Sequence, residues 1–443
     1  MTVNKIYNAQ SVSIDEVTVY PTNGEPLLIK ELVIELSYFE DLYGDTVSGY
    51  VTLRDTQAIV QRWQLLNLCK IKINFGRTSG AKENTSENIS GDFIIYAIDK
   101  KTTGHLTEEY VKLHFCSKEF LESESSKVQR ARPEGGEEIH KYVKYILTDF
   151  LKIKDKKIDI ENTQGLYEFN IETKSPFAAI NWLSVRARSA SQPLAGADML
   201  FFENKNGYNF KSLRTLRSKD TYNYYNYNIK NVGTDIELKT HDILQLEYVK
   251  SFNALEAINS GVFANQLITF DSVSGIGNLV TFNYSNYIKA NKPSNGYGVI
   301  NDVTLFGKKL SENHRSVTRV SVTNSDSANR NDIIEKNPGS IPKDFTVENY
   351  IPHRKTQLLL SNFTLLKVSV PGDPNLTVGM TINLNIYSLV INGDTRETDK
   401  FYSGKYLINA VRHVLQPSNG MYQTYMELAK DSYLEQLESG GTN

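Results

Sequence analysis

The sequence predicts a mainly β protein with α/β insertions, built around one barrel-like module that occurs twice. Apolar residues alternate with period two along much of the chain, helical periodicity is confined to a few short segments, and two distant blocks repeat each other in order.

The alternation begins with Leu32, Ile34 and Leu36 on one face of a strand, followed by Tyr50, Thr52 and Arg54 opposed by Val51 and Leu53. Further strands are expected over Cys69–Phe75, Gly91–Asp99 and Tyr110–Cys116, with the polar stretch Arg77–Ser90 as a long hairpin tip. The period then changes. Ile139, Tyr142, Val143, Ile146, Leu147, Phe150 and Leu151 fall on one helix face, and a second helix starts where Ser175 can cap and Pro176 can occupy the first turn. Strands resume at Met199–Glu203 and Tyr208–Phe210, and a third helix is expected over Ser251–Phe263, carried by Phe252, Leu255 and Ile258. A polar excursion runs from Lys308 to Asn349, and the closing strands are Phe363–Val370, Met380–Tyr387, Gly404–Leu415 and Met421–Leu428.

The repeat sets Ser90-Gly91-Asp92-Phe93-Ile94-Ile95-Tyr96-Ala97-Ile98 beside Ser403-Gly404-Lys405-Tyr406-Leu407-Ile408-Asn409-Ala410-Val411. Cys69–Phe75 parallels Met380–Ile386 and Tyr110–Lys118 parallels Tyr422–Lys430, so three blocks keep one order with offsets of 311 to 313. A looser pair sets Leu32–Leu36 and Thr52–Asp55 against Ile243–Tyr248 and Ile268–Asp271, which leaves Ser272–Lys355 as an insertion in the second copy. The chain then divides into a first β-barrel domain (1–117), a mixed α/β insert (118–238), and a second barrel split between 239–271 and 356–431. An insert with the polar excursion (272–355) interrupts that barrel, and a tail (432–443) follows it.

At 443 residues with 40% apolar and 23% charged side chains, the chain has material for several cores and lies far from disordered composition. A formal charge of -2 gives no field to attract a phosphate backbone, so specific nucleic-acid binding is not expected. No secretory head and no run of eighteen apolar residues occurs, which argues for a chain that remains in the cytosol after synthesis without stable membrane insertion. Cys69 and Cys116 are expected to be buried thiols.

No catalytic, metal or cofactor site is legible. The seven histidines show no metal-binding spacing, and His114 with Cys116 on one strand face are two ligands short of a zinc site. Gly275-Ile276-Gly277 lacks the rest of a phosphate loop, and no Gly-x-Ser-x-Gly elbow is present. Glu122, Glu124, Glu137 and Glu138 are read as solvated acids. The chain is therefore expected not to be an enzyme. With 26 Tyr and 19 Phe it is suited to contact surfaces, because a ring covers area at little rotamer cost. Tyr222, Tyr224, Tyr225 and Tyr227 form either a partner patch or a polar edge strand or surface loop, and Leu434 and Leu437 mark the tail as a docking element or a disordered end.

At Val370-Pro371-Gly372-Asp373-Pro374, Val378-Gly379, Ser403–His413 and Tyr422–Leu428, the chain resembles the baseplate central-hub proteins of T-even-type contractile-tailed phages. It is similar there, too, to the hub part of type VI secretion spike proteins. Thr173–Leu183 with Pro176, Ala187-Arg188, and Met199–Leu213 with Phe201-Phe202-Glu203-Asn204 and Gly207-Tyr208-Asn209-Phe210 extend the likeness. The resemblance implies two tube-type barrels per chain and a homotrimeric ring around a central channel. It also implies a place in the virion tail baseplate, assembled in the host cytoplasm, with a spike trimer on one side and tail tube or tube-initiator proteins on the other. The polar excursion has no place in that pattern. A carbohydrate-binding or carbohydrate-cleaving β-protein is the alternative, motivated by the tyrosines and exposed acids.

Overall fold

The computed structural model describes residues 12–435, apart from 23, 66–67, 78–87, 103–108, 131–135, 168–169, 192–196, 228–238, 252, 272–276, 291–292, 299–303, 306, 315–316, 324–350 and 393–394. Most of the expected hairpin tip (78–87), most of the polar excursion, Phe252 and Leu437 lie outside the described residues, while Ile89 and Ser90 already belong to a strand.

The protein is mainly β. Its longer strands are labelled here in chain order. The first half holds β1 (Ser13–Tyr20), β2 (Val33–Asp41), β3 (Ser48–Asp55), β4 (Cys69–Gly76), β5 (Ile89–Thr102) and β6 (Glu109–Cys116). A mixed segment follows, with α1 (Lys118–Ser125), α2 (Ile139–Lys144), β7 (Lys157–Ile160), α3 (Pro176–Ser184), β8 (Met199–Asn204), β9 (Gly207–Ser212), α4 (Leu213–Ser218) and β10 (Thr221–Tyr227). Next come β11 (Gln245–Lys250), α5 (Ala254–Ser260), β12 (Ala264–Asp271), β13 (Gly277–Asn283), β14 (Thr318–Thr323) and α6 (Ile351–Ser361). The chain closes on β15 (Thr364–Pro371), β16 (Thr381–Asn392), β17 (Gly404–Gln416) and β18 (Met421–Lys430).

One 14-stranded sheet runs through both halves in the order β11-β15-β18-β17-β2-β3-β6-β5-β4-β1, and β16 branches from β17 with β10 on its far side. The repeated blocks occupy matching places in it. In the β4–β5 ladder Ile71 faces Phe93 and Ile73 faces Gly91, while in the β16–β17 ladder Ile382 faces Tyr406 and Leu384 faces Gly404. The β5–β6 ladder bulges at Tyr96 and the β17–β18 ladder bulges at Asn409, positions that align in the repeat. Ladder register aligns β6 with β18 at an offset of 313, because Phe115 faces Ile95 as Leu428 faces Ile408; the sequence blocks alone had placed this pair one residue short. Next to β11 in the sheet stands β15, whereas Ile268–Asp271 belongs to β12, in a separate sheet with β13 and β14.

Local departures have identifiable causes. A bulge in β2 lets both Val33 and Leu36 face the core, so the even alternation from Leu32 through Ile34 does not run through the strand. The helix expected over 139–151 is α-helical to Lys144 and π-helical over Tyr145–Phe150, with Ile139, Tyr142, Val143, Ile146 and Leu147 buried. Ser175 stands at the cap of α3 but its side chain makes no cap bond; Ser123 of α1 instead accepts the Phe177 N–H at 3.0 Å. The third helix is shorter than expected, and Leu255 on it is 73% exposed while Ala257 faces inward.

Apolar packing forms four clusters among the described residues. The first fills the first half and reaches Leu415 and Tyr422 of the second, the next fills the second half, and the remaining two underlie the mixed segment and the α5–α6 region. Cys69 and Cys116 are free and buried, as read from composition.

Candidate assembly interface

Because strand side chains alternate, the face of the large sheet opposite its cores presents a band of polar groups. A hydrogen-bonded cluster on this face lies where the halves meet. There β17 pairs with β2, with Arg412 opposite Phe39, His413 opposite Tyr38, Val414 opposite Ser37 and Leu415 opposite Leu36. On the polar face Tyr50 Oη donates to Glu35 Oε1 at 2.6 Å, and Arg412 Nη2 donates to Tyr50 Oη at 2.8 Å and Ser37 Oγ at 3.2 Å. Gln416 completes the cluster by donating to Glu35 Oε2 at 3.1 Å, and the Lys112 ammonium lies 4.3 Å over the Tyr50 ring. Burial alone would raise the Glu35 carboxyl, but the donors Tyr50, Gln416 and Ser37 outweigh it and hold the group below its usual range.

Buried charges fasten the mixed segment under this sheet. Glu40 is 2% exposed and accepts from Lys205 N at 2.6 Å and Val378 N at 3.0 Å, and it also accepts from Thr377 Oγ1. One carboxylate thus ties β2, the β8–β9 turn and the loop after β15 together. Glu203 on β8 accepts from Val47 N and Ser117 Oγ, both at 2.9 Å, and pairs with Lys156 Nζ at 2.5 Å. Lys156 also meets Glu119 of α1 at 2.7 Å. Burial opposes the Lys156 charge, yet the two carboxylates overcome it and raise the ammonium above its ordinary value. Sequence reading missed these residues, although one signal was present: Glu40 follows Leu36 and Tyr38 at strand spacing and so points inward.

The aromatic run forms β10, an edge strand parallel to β16. Tyr225 is 1% exposed in the second core and is closed to a partner, and Tyr227 packs against the same core. Tyr222 donates to Asp373 Oδ2 at 3.0 Å and Tyr224 lies edge-on to His241 at 4.7 Å; both keep exposed ring area. Leu434 is 43% exposed at the end of the described chain, where its N–H donates to Lys400 O at 3.2 Å. On β10 the structure therefore exposes Tyr222 and Tyr224 and buries Tyr225.

Several of the most strongly shifted titratable groups lie in the interior. Burial pushes the Cys116 thiol up to about 11, which removes its nucleophilic form at neutral pH. Asp198 rises to about 6 by burial, against the pull of the Arg214 N–H and Arg354. Lys430 falls to about 7, again by burial, while donating to Phe401 O at 2.9 Å and to Ser403 O. His413 is fully buried and falls to about 3; Nε2 donates to Leu376 O at 3.2 Å, and Nδ1 accepts from Tyr422 Oη at 2.9 Å and Thr424 Oγ1 at 3.2 Å. His114 meets Asp99 at 2.8 Å, and no cluster of three or more His, Cys, Asp or Glu positioned for a metal occurs among the described residues.

His413 predicts a pH effect. Its folded pKa lies below the unfolded value of about 6.5, so its neutral form stabilises the fold above that pH, and the contribution is lost on acidification. Between pH 7 and pH 5 the wild type is expected to lose about 2 kcal/mol more stability than His413→Gln, as read by urea unfolding at both pH values. Taking the difference between the two proteins cancels the opposite trend of Asp198, whose raised pKa favours the fold as pH falls. Equal losses in both would assign the acid response to other groups.

No family model matches the chain, and no curated protein matches it either. Solved structures do. A tail protein from Neisseria meningitidis MC58 aligns with a TM-score of 0.52 at 9% identity, over 94% of this chain and 96% of that one. The 43 kDa tail protein of prophage MuSo2 from Shewanella oneidensis aligns with a TM-score of 0.51 at 8% identity, over 94% and 99% of the two chains. Over nearly its whole length, this chain shares the fold of these two tail proteins.

Proposed function

We propose that this chain is the structural hub of a contractile phage tail baseplate. Three copies form a ring around a central channel and join a sixfold tail tube to a threefold spike. The observation that carries the reading is the pair of matched ladders: β2-β3-β6-β5-β4 in the first half and β11-β15-β18-β17-β16 in the second share strand order, a bulge position and register. An internal duplication of one tube-type barrel module explains that match. Three chains with two modules each present six similar units to a sixfold neighbour, while their dissimilar inserts offer three equivalent surfaces to a threefold one. The tail-protein fold supports a place in the virion tail baseplate. The partners are then a second and third copy, a spike trimer, and tail tube or tube-initiator proteins.

The role is binding, with no chemistry. The strongly perturbed groups Cys116, Asp198 and His413 are buried, and His413 has its ring nitrogens engaged within the protein. The tail around Leu434 and Leu437 is proposed to meet the spike.

Light scattering of the purified chain tests the assembly. A subunit of 50.2 kDa should give a particle of about 150 kDa if the ring is a trimer. A particle with six copies, or a monomer at all concentrations, would overturn the proposal.

A further inference from the structure

We infer that neighbouring copies join edge to edge, β5 residues Asp99–Thr102 of one chain pairing antiparallel with β11 residues Leu246–Lys250 of the next. This rests on the ring proposed above and names the surface that closes it.

The argument starts from the junction inside one chain. The edge of β17 is shared: Gly404–Leu407 pairs with β16, and Ala410–Leu415 pairs with β2. In the first half the matching strand is β5, whose Ile89–Ile95 pairs with β4. Its continuation beyond the Tyr96 bulge pairs with β6 on one side and has no strand on the other among the described residues. The counterpart of β2 in the second half is β11, which pairs with β15 and likewise bears a bare edge. The chain therefore contains one copy of the β17–β2 contact made and, among the described residues, both halves of a second copy left open: one on β11 at the end of the sheet, the other on the part of β5 that runs past its partner β4.

Register can be transferred through the ladders. Leu36 reaches Leu113 through Val51, and Leu246 reaches Met426 through Val368, so Leu246 stands where Leu36 does. Tyr248 then stands for Tyr38, and Thr102, Lys101 and Lys100 stand for Leu415, Val414 and His413. Across the new contact Thr102 meets Leu246, Lys101 meets Glu247, and Lys100 meets Tyr248. Asp99 falls beside Lys250 at the β11 bulge.

The side chains fit that alignment. The junction within the chain sets Val414 opposite Ser37, whereas the open edges place a lysine opposite a glutamate on one face. Lys101 and Glu247 are both exposed, and neither makes an ion pair among the described residues. A charged edge also discourages pairing of like edges, since two β5 edges would oppose lysines and two β11 edges would oppose glutamates. Repeated around a ring, the contact is head to tail and covers both of these open edges.

The test uses the full chain carrying Lys101→Cys and Glu247→Cys. Residues facing each other across an antiparallel pair lie about 4.5–5.5 Å apart at Cα, within disulfide reach. The native thiols are buried and stay silent. Mild oxidation should produce a ladder ending at a covalent trimer on a non-reducing gel, and neither single variant should. Independently, Lys101→Glu or Glu247→Lys should raise the concentration at which trimers dissociate by about tenfold, and combining the two should restore it. A wild-type trimer whose variants neither cross-link nor dissociate overturns the edge pairing and leaves the trimer standing. A wild-type monomer that also fails to cross-link overturns both.

Discussion

Replacing Lys156 by methionine is expected to destabilise the fold by about 3–5 kcal/mol, because the change strands two carboxylates in the interior. Glu119 is 1% exposed and Glu203 2%, and Lys156 is the nearest cation of both, Glu119 having only the half-exposed Lys118 besides, at 4.0 Å. Glu203 has further donors in Val47 N and Ser117 Oγ, but those dipoles cannot replace a full charge shared by two acids. The loss should therefore exceed that of Lys156→Met combined with Glu203→Gln, in which one of the acids has also been neutralised. Urea unfolding of the three proteins measures it. A loss under about 1 kcal/mol in the single variant would mean that water reaches the cluster and screens it, as at exposed pairs. Because Glu203 holds Val47 and Ser117 at the ends of β3 and β6, the same variant should loosen the mixed segment from the sheet.

A single methyl group at Gly372 is expected to cost about 3 kcal/mol, through overpacking. A Cβ built there would lie 2.1 Å from Tyr422 Cγ and within 2.5 Å of both neighbouring ring carbons. The ring cannot retreat, since Tyr422 is fully buried and its hydroxyl donates to His413. The glycine backbone is held as well, with its N–H donating to Tyr422 O at 2.8 Å and its carbonyl accepting from Arg77 Nε at 2.8 Å. Gly420→Ala provides the contrast. Nothing lies within 4 Å of that position, and its cost of about 1–2 kcal/mol comes only from a φ of +60°. Thermal unfolding should rank the two variants in that order, and equal shifts would locate the cost at Gly372 in the backbone.

Much of the strand framework was legible because periodicity is a local property. Val51 and Leu53 inward with Tyr50 and Thr52 outward, and the closing strands β15 to β18, follow from alternation alone. Helix faces were legible for the same reason, except where neither periodicity nor capping rules see the neighbour. Leu255 fits an apolar stripe and yet is exposed, and the cap of α3 is supplied by Ser123, 54 residues away in sequence.

By itself the sequence determined the strand-rich class, the order of the repeated blocks, the buried thiols and the absence of a legible catalytic motif. Each of these depends on residue type and near spacing. Only the tertiary structure decided which strand continues the second half after β11, because β12 and β15 are both strands with similar inward faces and nothing local distinguishes their partners. It also decided the roles of Glu40, Lys156 and Glu203. A buried charge is tolerated only where distant donors and counter-charges converge on it, and that convergence arises when the chain is closed.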